Sequence, residues 1–257
     1  MSNSQKIISF LCVSLLHVVG LQSLSKREVN LRPYEKRLIS QNGEDGILQK
    51  IFDVIGTTNK YYVEFGAGNG HFGSNTKYLR EKYGWQGLLL EGSCQENEAI
   101  NLHQAFITAE NISDLFRKYD VPQEFDLISI DIDGNDFYVW KALSKEYRPR
   151  VVVVEFNQHF NVNEDAVMVY NPNNIWNGSE AFGASILAFF NLGRRLGYSL
   201  VYQESNGANL FFVRDDVLES APAAFVDTND VKSLYNGRPM NFNRRGVVFV
   251  SSVEALK

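Results

Sequence analysis

The sequence predicts an α/β fold with a doubly wound, mainly parallel sheet that ends in an antiparallel hairpin. From residue 40 onwards, apolar strand-like runs alternate with amphipathic helical segments, as right-handed strand–helix–strand crossovers require. The four valines at 151–154 show no alternation with polar residues, which is typical of a central parallel strand covered on both faces. A chain of 257 residues that is 44% hydrophobic can bury one large core.

The individual elements follow from hydrophobic periodicity and from glycine or capping residues at their ends. In the first half they are a helix at 40–56, a strand at 61–68, a helix at 74–84 capped by Ser74 or Asn75, a strand at 87–92, a short helix at 96–103, a weaker strand at 104–111 and a helix at 112–119. In the second half they are a strand at 126–133, a helix at 136–144, a strand at 150–157, a helix at 184–197, a hairpin of strands at 199–204 and 209–215, and a strand-like run at 246–252.

The N-terminus carries an uncharged apolar run of 15 residues, from Ile7 to Leu21, preceded by Lys6. This run is too short for a typical membrane span and matches the h-region of a secretory signal. We therefore assign residues 1–22 as a signal peptide or signal anchor and residues 36–257 as a single domain. The protein is expected in the secretory pathway, secreted or luminal, with membrane contact only if the N-terminal segment stays uncleaved.

Charged residues in place of Leu15 and Leu16 should keep the protein in the cytosol, because they interrupt the apolar run that the secretion machinery recognises. Fractionation followed by N-terminal sequencing checks this. Cytosolic protein that retains Met1 in the unaltered sequence would contradict the assignment.

Charge and cysteine content exclude two classes of function. The formal net charge is -5 and the pI is about 5.5, so the chain lacks the basic surface that nucleic-acid binding requires, and no nucleic-acid partner is expected. Only Cys12 and Cys94 are present, which excludes a disulfide framework and a cysteine-based metal site.

A glycine-rich turn follows the strand at 61–68 directly. Gly66, Gly68 and Gly70 are spaced G-x-G-x-G, whereas a dinucleotide site of the usual kind has G-x-G-x-x-G. Glycines at such a turn let the backbone approach a ligand closely. Glu64, just before the turn, is a candidate acceptor for a ligand's ammonium group. Glu91 closes the next strand, where an acidic residue binds ribose hydroxyls in nucleotide-cofactor folds.

Five stretches together resemble a poorly characterised branch of the FkbM-like methyltransferases, within the class I S-adenosylmethionine-dependent enzymes. They are SQNGEDGIL, VEFGAGNGHFGSNT, LISIDIDGND, PRVVVVEFN and FGASILAFFNLGRRLGY, and the resemblance as a whole spans about residues 40–215. The resemblance implies a Rossmann-like, seven-stranded sheet and S-adenosylmethionine as cofactor, without naming a substrate. It implies cofactor contacts at Glu64, Gly66, Gly68, Glu91 and Asn111, and the apolar and amide groups around Asn111 would line the adenine.

Carboxylates follow two strands that are predicted to be neighbours. The strand at 126–133 carries Asp131 and Asp133 at its carboxyl end, and Glu155 ends the next strand. A buried strand tolerates a terminal carboxylate only where solvent, a cation or a donor meets it, so we place these groups at the ligand edge of the sheet. Asp133 and Glu155 should face one cavity, with Asp131 deeper and in contact with the cofactor.

Two arrangements would use these groups. Asp133 or His159 acts directly as the base for the acceptor, or Asp133, Glu155 and Asn157 hold a divalent cation. We favour the direct arrangement, with Asp133, Glu155 and His159 as catalytic residues, and assign no metal ligand. Asp136 is predicted to cap the helix that starts at Phe137.

The polar stretch at about 158–183 is too long for an ordinary connection, and its aromatic residues indicate an ordered substrate lid. The sequence therefore predicts O-methylation of a small polar molecule or glycan. The alternative is a non-catalytic binding protein that retains the fold, which the intact glycine motif and Glu91 disfavour. A nucleotide-sugar enzyme or dehydrogenase is disfavoured by the glycine spacing.

Overall fold

A seven-stranded, mainly parallel sheet forms the centre of the protein. The computed structural model describes residues 26–143 and 145–257, so the predicted signal at 1–22 lies outside the described residues. The strands of the described residues are β1 (Arg27–Val29), β2 (Tyr61–Phe65), β3 (Gln86–Glu91), β4 (Leu102–Gln104), β5 (Glu124–Ile130), β6 (Arg148–Glu155), β7 (Val167–Met168), β8 (Tyr198–Gln203), β9 (Asn209–Arg214), β10 (Ala223–Phe225) and β11 (Phe249–Val250).

The order of strands across the central sheet is β4–β3–β2–β5–β6–β9–β8. The pairs among β4, β3, β2, β5 and β6 are parallel, whereas β9 runs antiparallel to both β6 and β8. The predicted fold class, a doubly wound and mainly parallel sheet with a C-terminal antiparallel hairpin, is confirmed.

Helices cover both faces of the sheet. Their bounds are α1 (Glu44–Ile55), α2 (Lys77–Tyr83), α3 (Ile112–Lys118), α4 (Asp136–Leu143), α5 (Ile186–Leu196), α6 (Asp215–Ser220), α7 (Val231–Leu234) and α8 (Ser252–Ala255). Helices α3, α4 and α5 pack against one face, and α1, α2 and α6 pack against the other.

The valines of β6 show how the two layers divide the apolar surface. Val152 and Val154 belong to the core beneath α4 and α5, while Val151 and Val153 belong to the core beneath α1. All four are fully buried. The absence of alternation in this run therefore reflects a strand with apolar layers on both sides, as predicted.

Two predicted elements between β3 and α3 are wrong. The expected helix at 96–103 is a single 3-10 turn, Glu98–Ile100. The expected strand at 104–111 overlaps the observed strand, Leu102–Gln104, at one residue only. The edge strand is instead β4, because Leu102, His103 and Gln104 pair with the end of β3. Helix α2 also begins later than predicted, and Ser74 Oγ accepts a hydrogen bond from the Lys77 N–H (3.1 Å).

The C-terminal segment, whose role the sequence left open, packs on the predicted lid. Strand β11 pairs antiparallel with β7, which lies inside the stretch at 158–183, and α8 packs against α5. Of the predicted run at 246–252, only Phe249 and Val250 form a strand. Within residues 26–143 and 145–257, no helix is both long and apolar enough to cross a membrane.

Candidate functional site

A cavity of about 340 Å³ lies at the edge of the sheet where the parallel strands β2, β3 and β5 end. Ligands of open α/β sheets bind outside this carboxyl edge. The lining combines the glycine turn, the ends of two strands and the predicted lid, and includes Gly66, Glu91, Asp131, Asp133, Asn135, Asn174, Ile175 and Trp176. The structure therefore brings the glycine turn, Glu91 and the two aspartates to one cavity.

The glycine turn packs directly against the end of β5. Gly66 has a φ of 66°, and a Cβ atom there would lie 1.7 Å from the Asp131 carbonyl oxygen. Gly68 has a φ of 54°, and a Cβ atom there would meet nothing within 4 Å. Glycine at 66 is therefore required by a protein contact, whereas the open side of Gly68 leaves space for a ligand.

Glu91 connects two cavities. Its Oε2 accepts a hydrogen bond from the Gly68 N–H (3.0 Å), and its Oε1 accepts one from the Ser93 N–H (3.0 Å). Glu91 and Ser93 line both the first cavity and an adjoining one of about 710 Å³, which the glycine turn also lines at Gly68. Glu91 Oε1 also accepts a hydrogen bond from Ser93 Oγ (3.3 Å), so about one of the four acceptor positions of the carboxylate remains for a ligand hydroxyl.

Glu64 lines neither of these cavities. Its carboxylate is buried and accepts hydrogen bonds from Ser74 Oγ (2.7 Å), the Asn75 N–H (2.7 Å) and the hydroxyl of Thr76. Burial raises the pKa of Glu64, and the hydrogen bonds from Thr76, Ser74 and Asn75 lower it. The structure thus uses Glu64 to fix the segment between the glycine turn and α2, where the sequence suggested a ligand contact.

Asn111 is also used within the protein. Its Oδ1 accepts a hydrogen bond from the Thr108 N–H (2.8 Å), and its Nδ2 donates one to the Phe106 carbonyl oxygen (2.8 Å). The cavity is lined instead by Ala105, Phe106 and Ile107, which this side chain holds in place. Sequence reasoning missed these residues because it assigned them to a strand at 104–111.

Three carboxyl groups come together beside the cavity. Asp131, Asp133 and Glu155 each place one oxygen within 4.8 Å of the others. Asp131 and Glu155 are neighbours within this cluster. Burial raises the pKa of both groups, and the negative charges of neighbouring carboxylates raise it further. Both carboxyl groups therefore lose their protons at higher pH than an exposed carboxyl group does.

None of the described residues donates a hydrogen bond to the carboxylate of Asp133, which lines the cavity. Asp133 adopts a φ of 56°, in the left-handed region, and its carbonyl oxygen accepts a hydrogen bond from Asn174 Nδ2 (3.3 Å). Burial raises the pKa of the Asp133 carboxyl, and the charge of Glu91 contributes to the same direction. A half-buried carboxylate on a cavity wall without a donor is available to a ligand.

Asp136 positions Asp133 and does not cap the helix in the way predicted. It is the first residue of α4, and its two carboxylate oxygens accept hydrogen bonds from the Ile132 N–H (2.8 Å) and the Gly134 N–H (2.8 Å), upstream of the helix. Burial raises the pKa of Asp136 to about 6. The two bonds tie both sides of Asp133 to the start of α4.

The structure does not bring His159 to this cluster. His159 lines a separate depression together with C-terminal residues such as Phe242 and Arg244, and its Nδ1 lies 3.3 Å from the Arg238 carbonyl oxygen. The Asn157 side chain likewise serves the protein, donating to the carbonyl oxygens of Glu180 and Phe182. Asp133 and Glu155 are therefore the predicted catalytic residues that the fold places together.

The predicted lid lies over the cavity. Asn135 Nδ2 donates to the Asn171 carbonyl oxygen (2.7 Å), and the hydroxyl of Tyr170 contacts Glu110, just before α3. Further along the same stretch, Ile175 is 79% exposed and Trp176 is 49% exposed, although both line the cavity. Exposed apolar groups at a cavity mouth are typical of a ligand-binding surface.

Comparisons with known proteins give one family and several solved structures. The family model described as "Methyltransferase FkbM domain" matches residues 48–200, more than half of the 257-residue chain. No curated protein matches.

Similar solved structures share little sequence with the chain. They include the CMeT domain of the citrinin polyketide synthase (13% identity, 66% of this chain and 51% of that chain, TM-score 0.42), so the chain spans about half of its length. The N-terminal domain of EvdMO1, crystallised in the presence of SAH and D-fucose, is similar at 12% identity over 66% of this chain and 82% of that chain (TM-score 0.37). A SAM dependent methyltransferase from Aquifex aeolicus is similar at 12% identity over 65% of this chain and 88% of that chain (TM-score 0.36).

Proposed function

Because the chain belongs to the FkbM methyltransferase family, we propose that it uses S-adenosylmethionine to methylate a hydroxyl oxygen of a small polar molecule or glycan. The observation that carries the proposal is the meeting of three features at one sheet edge. These are the open side of Gly68, the carboxylate of Glu91 and the donor-free carboxylate of Asp133. The first two suit a cofactor, and the third suits the acceptor.

The residues present fit a nucleoside cofactor. A side chain at 68 would project into open space beside Glu91, so the backbone there leaves a ligand room to approach. Glu91 lies at the end of β3, where its remaining acceptor position would bind a ribose hydroxyl. Phe106 and Ile107 would provide apolar contacts for the base. The cavity volume of about 340 Å³ lies within the range of small-molecule sites.

The chemistry requires little from the protein beyond alignment and proton removal. The cofactor supplies a methyl group that is already activated by a positively charged sulfur. Asp133 would accept a hydrogen bond from the acceptor hydroxyl and take its proton as the oxygen attacks. Asp136 holds the backbone on both sides of Asp133, so the carboxylate is positioned before the acceptor binds.

A polar acceptor is supported by the composition of the walls. Asp133, Asn135 and Asn174 offer carboxylate and amide groups for hydroxyls, while Trp176 offers a flat apolar face at the mouth. The Trp176 indole N–H donates to the Ser179 carbonyl oxygen (2.8 Å), which fixes the ring. Polar groups beside a fixed aromatic face match the alternating polar and apolar surfaces of a sugar ring.

Thermal denaturation with added ligand tests the cofactor assignment. S-adenosylhomocysteine at about 100 times its Kd should stabilise the protein by about 2.7 kcal/mol, a rise in Tm of about 5–10 °C. NAD and nucleotide sugars should produce no rise. Glu91→Ala should weaken S-adenosylhomocysteine binding about 10- to 100-fold, because hydrogen bonds to a charged group contribute about 1.5–3 kcal/mol. Gly68→Val should abolish binding by filling the space beside Glu91.

Two controls separate these effects from general damage. Glu98→Ala removes an exposed carboxylate of the 3-10 turn, and Gly84→Val introduces the same side chain at another glycine of positive φ. Both should leave the S-adenosylhomocysteine response unchanged. Unaltered affinity in both Glu91→Ala and Gly68→Val would contradict the cofactor assignment. Cofactor binding without turnover of any acceptor would favour the non-catalytic alternative.

A further inference from the structure

We propose that Asp131, Asp133 and Glu155 bind one divalent cation, Mg²⁺ or Mn²⁺, next to the cavity that Asn135 also lines. The three carboxyl groups place one oxygen each within 4.8 Å of the others. Oxygens on opposite sides of one bound Mg²⁺ or Ca²⁺ are about 4–5 Å apart, because metal–oxygen distances are about 2.0–2.6 Å. Oxygens within this distance of one another can contact a single ion.

Two buried oxygens at this place have no hydrogen-bond donor among the described residues. They are Glu155 Oε2 and Asn135 Oδ1. Asn135 is only 3% exposed and lines the same cavity as Asp131 and Asp133. Its Nδ2 donates to the Asn171 carbonyl oxygen (2.7 Å), so the amide oxygen is the atom left for a ligand. Buried acceptors are nearly always paired, and their exceptions indicate a missing partner such as an ion.

The described residues supply neither a donor nor a positive charge to this group. Asn135 Oδ1 and Glu155 Oε2 have no hydrogen-bond donor among them. None of the salt bridges formed by the described residues reaches Asp131, Asp133 or Glu155. A divalent cation would offset the charge and coordinate the amide oxygen as well, since carboxylate and carbonyl oxygens suit Mg²⁺ and Mn²⁺.

The cation would assist the proposed reaction at the acceptor. Each carboxyl group offers one ligand oxygen, so Asp133 keeps its second oxygen for the acceptor's proton. An acceptor hydroxyl that coordinates the cation has a lowered pKa and becomes a better nucleophile. This role rests on the proposed function, whereas binding of the cation requires only the three carboxylates.

Direct titration with Mn²⁺ tests the inference without cofactor or acceptor. Purified protein is treated with a chelator, and free Mn²⁺ is followed by electron paramagnetic resonance as MnCl₂ is added. We expect one saturable site, weakened at least about 10-fold in Asp133→Asn and in Glu155→Gln, because each change removes one charged ligand. Glu219→Gln, which neutralises an exposed carboxylate of α6, is the matched control and should leave the Kd unchanged.

The variants are expected to fold, because each relieves repulsion in a crowded carboxylate cluster and preserves side-chain size; circular dichroism checks this. Absence of a saturable Mn²⁺ site in the unaltered protein, or a Kd unchanged in both variants, would overturn the inference. Protein that binds Mn²⁺ but not S-adenosylhomocysteine would contradict the proposed function alone. Protein that binds S-adenosylhomocysteine but not Mn²⁺ would contradict the cation site alone.

Discussion

Asp133→Asn should lower turnover about 100-fold or more while leaving the Kd for S-adenosylhomocysteine unchanged. The substitution keeps the side-chain volume and replaces the proton-accepting carboxylate on the cavity wall with a neutral amide. Asparagine tolerates the left-handed backbone at this position, where φ is 56°, so the turn between β5 and α4 should persist. The measurement compares the rate of S-adenosylhomocysteine formation, with the acceptor that is methylated by the unaltered enzyme, and cofactor affinity by calorimetry.

The matched control for this change is Asp227→Asn. Asp227 is an exposed aspartate whose φ of 59° is nearly that of Asp133, so the two substitutions impose the same backbone demand. Asp227→Asn should retain full turnover, because Asp227 lies outside the cavity. Full activity in Asp133→Asn would remove this carboxylate from the reaction. Equal losses in both variants would indicate general damage to the fold.

Gly66→Ala should abolish S-adenosylhomocysteine binding and lower the free energy of unfolding more than an ordinary glycine substitution. A Cβ atom at 66 would lie 1.7 Å from the Asp131 carbonyl oxygen and 2.9 Å from its carbonyl carbon. Backbone atoms cannot move aside as the end of a flexible side chain can. The glycine turn and the strand end that carries Asp131 would therefore separate, which moves Asp133 and Glu91 apart.

Gly84→Ala supplies the control, because Gly84 has the same φ of 66° and a Cβ atom there would meet nothing within 4 Å. An alanine in the left-handed backbone conformation should lower the free energy of unfolding by about 1–2 kcal/mol in both variants. Overpacking should add about 1–3 kcal/mol in Gly66→Ala alone. Urea denaturation and calorimetry measure the two quantities. If Gly66→Ala and Gly84→Ala have the same free energy of unfolding and the same affinity for S-adenosylhomocysteine, the contact with Asp131 does not constrain the site.

Sequence periodicity predicted the long helices and strands because the residues within each of them determine where it forms and ends. Helix α1 ends at Gly56 and α5 ends at Gly197, as their glycines indicated, and the valines of β6 identified a strand with two apolar neighbours. The short edge strand β4 was not predicted, because contacts with a neighbouring strand determine it. Its three residues carry no period of their own, and pairing with Leu89, Leu90 and Glu91 alone makes them a strand.

The sequence by itself determined which residues reach the ligand edge. Strand ends followed by Gly66, Glu91, Asp131 and Asp133 must meet at one side of a parallel sheet, since all carboxyl ends point the same way. It could not determine where His159 lies, because a long connection leaves the sheet in a direction set by its packing on the C-terminal segment, where strands β7 and β11 pair.

Only the tertiary structure decided which carboxylates remain available for chemistry. Glu64 and Asp136 carry the same functional group as Asp133 and also lie close to strand ends. Amides and hydroxyls at 74–76 satisfy Glu64, and amides at 132 and 134 satisfy Asp136, whereas none of the described residues donates to the carboxylate of Asp133. A carboxylate's role depends on the donors that surrounding loops bring to it, and their positions are fixed only when the whole chain has packed.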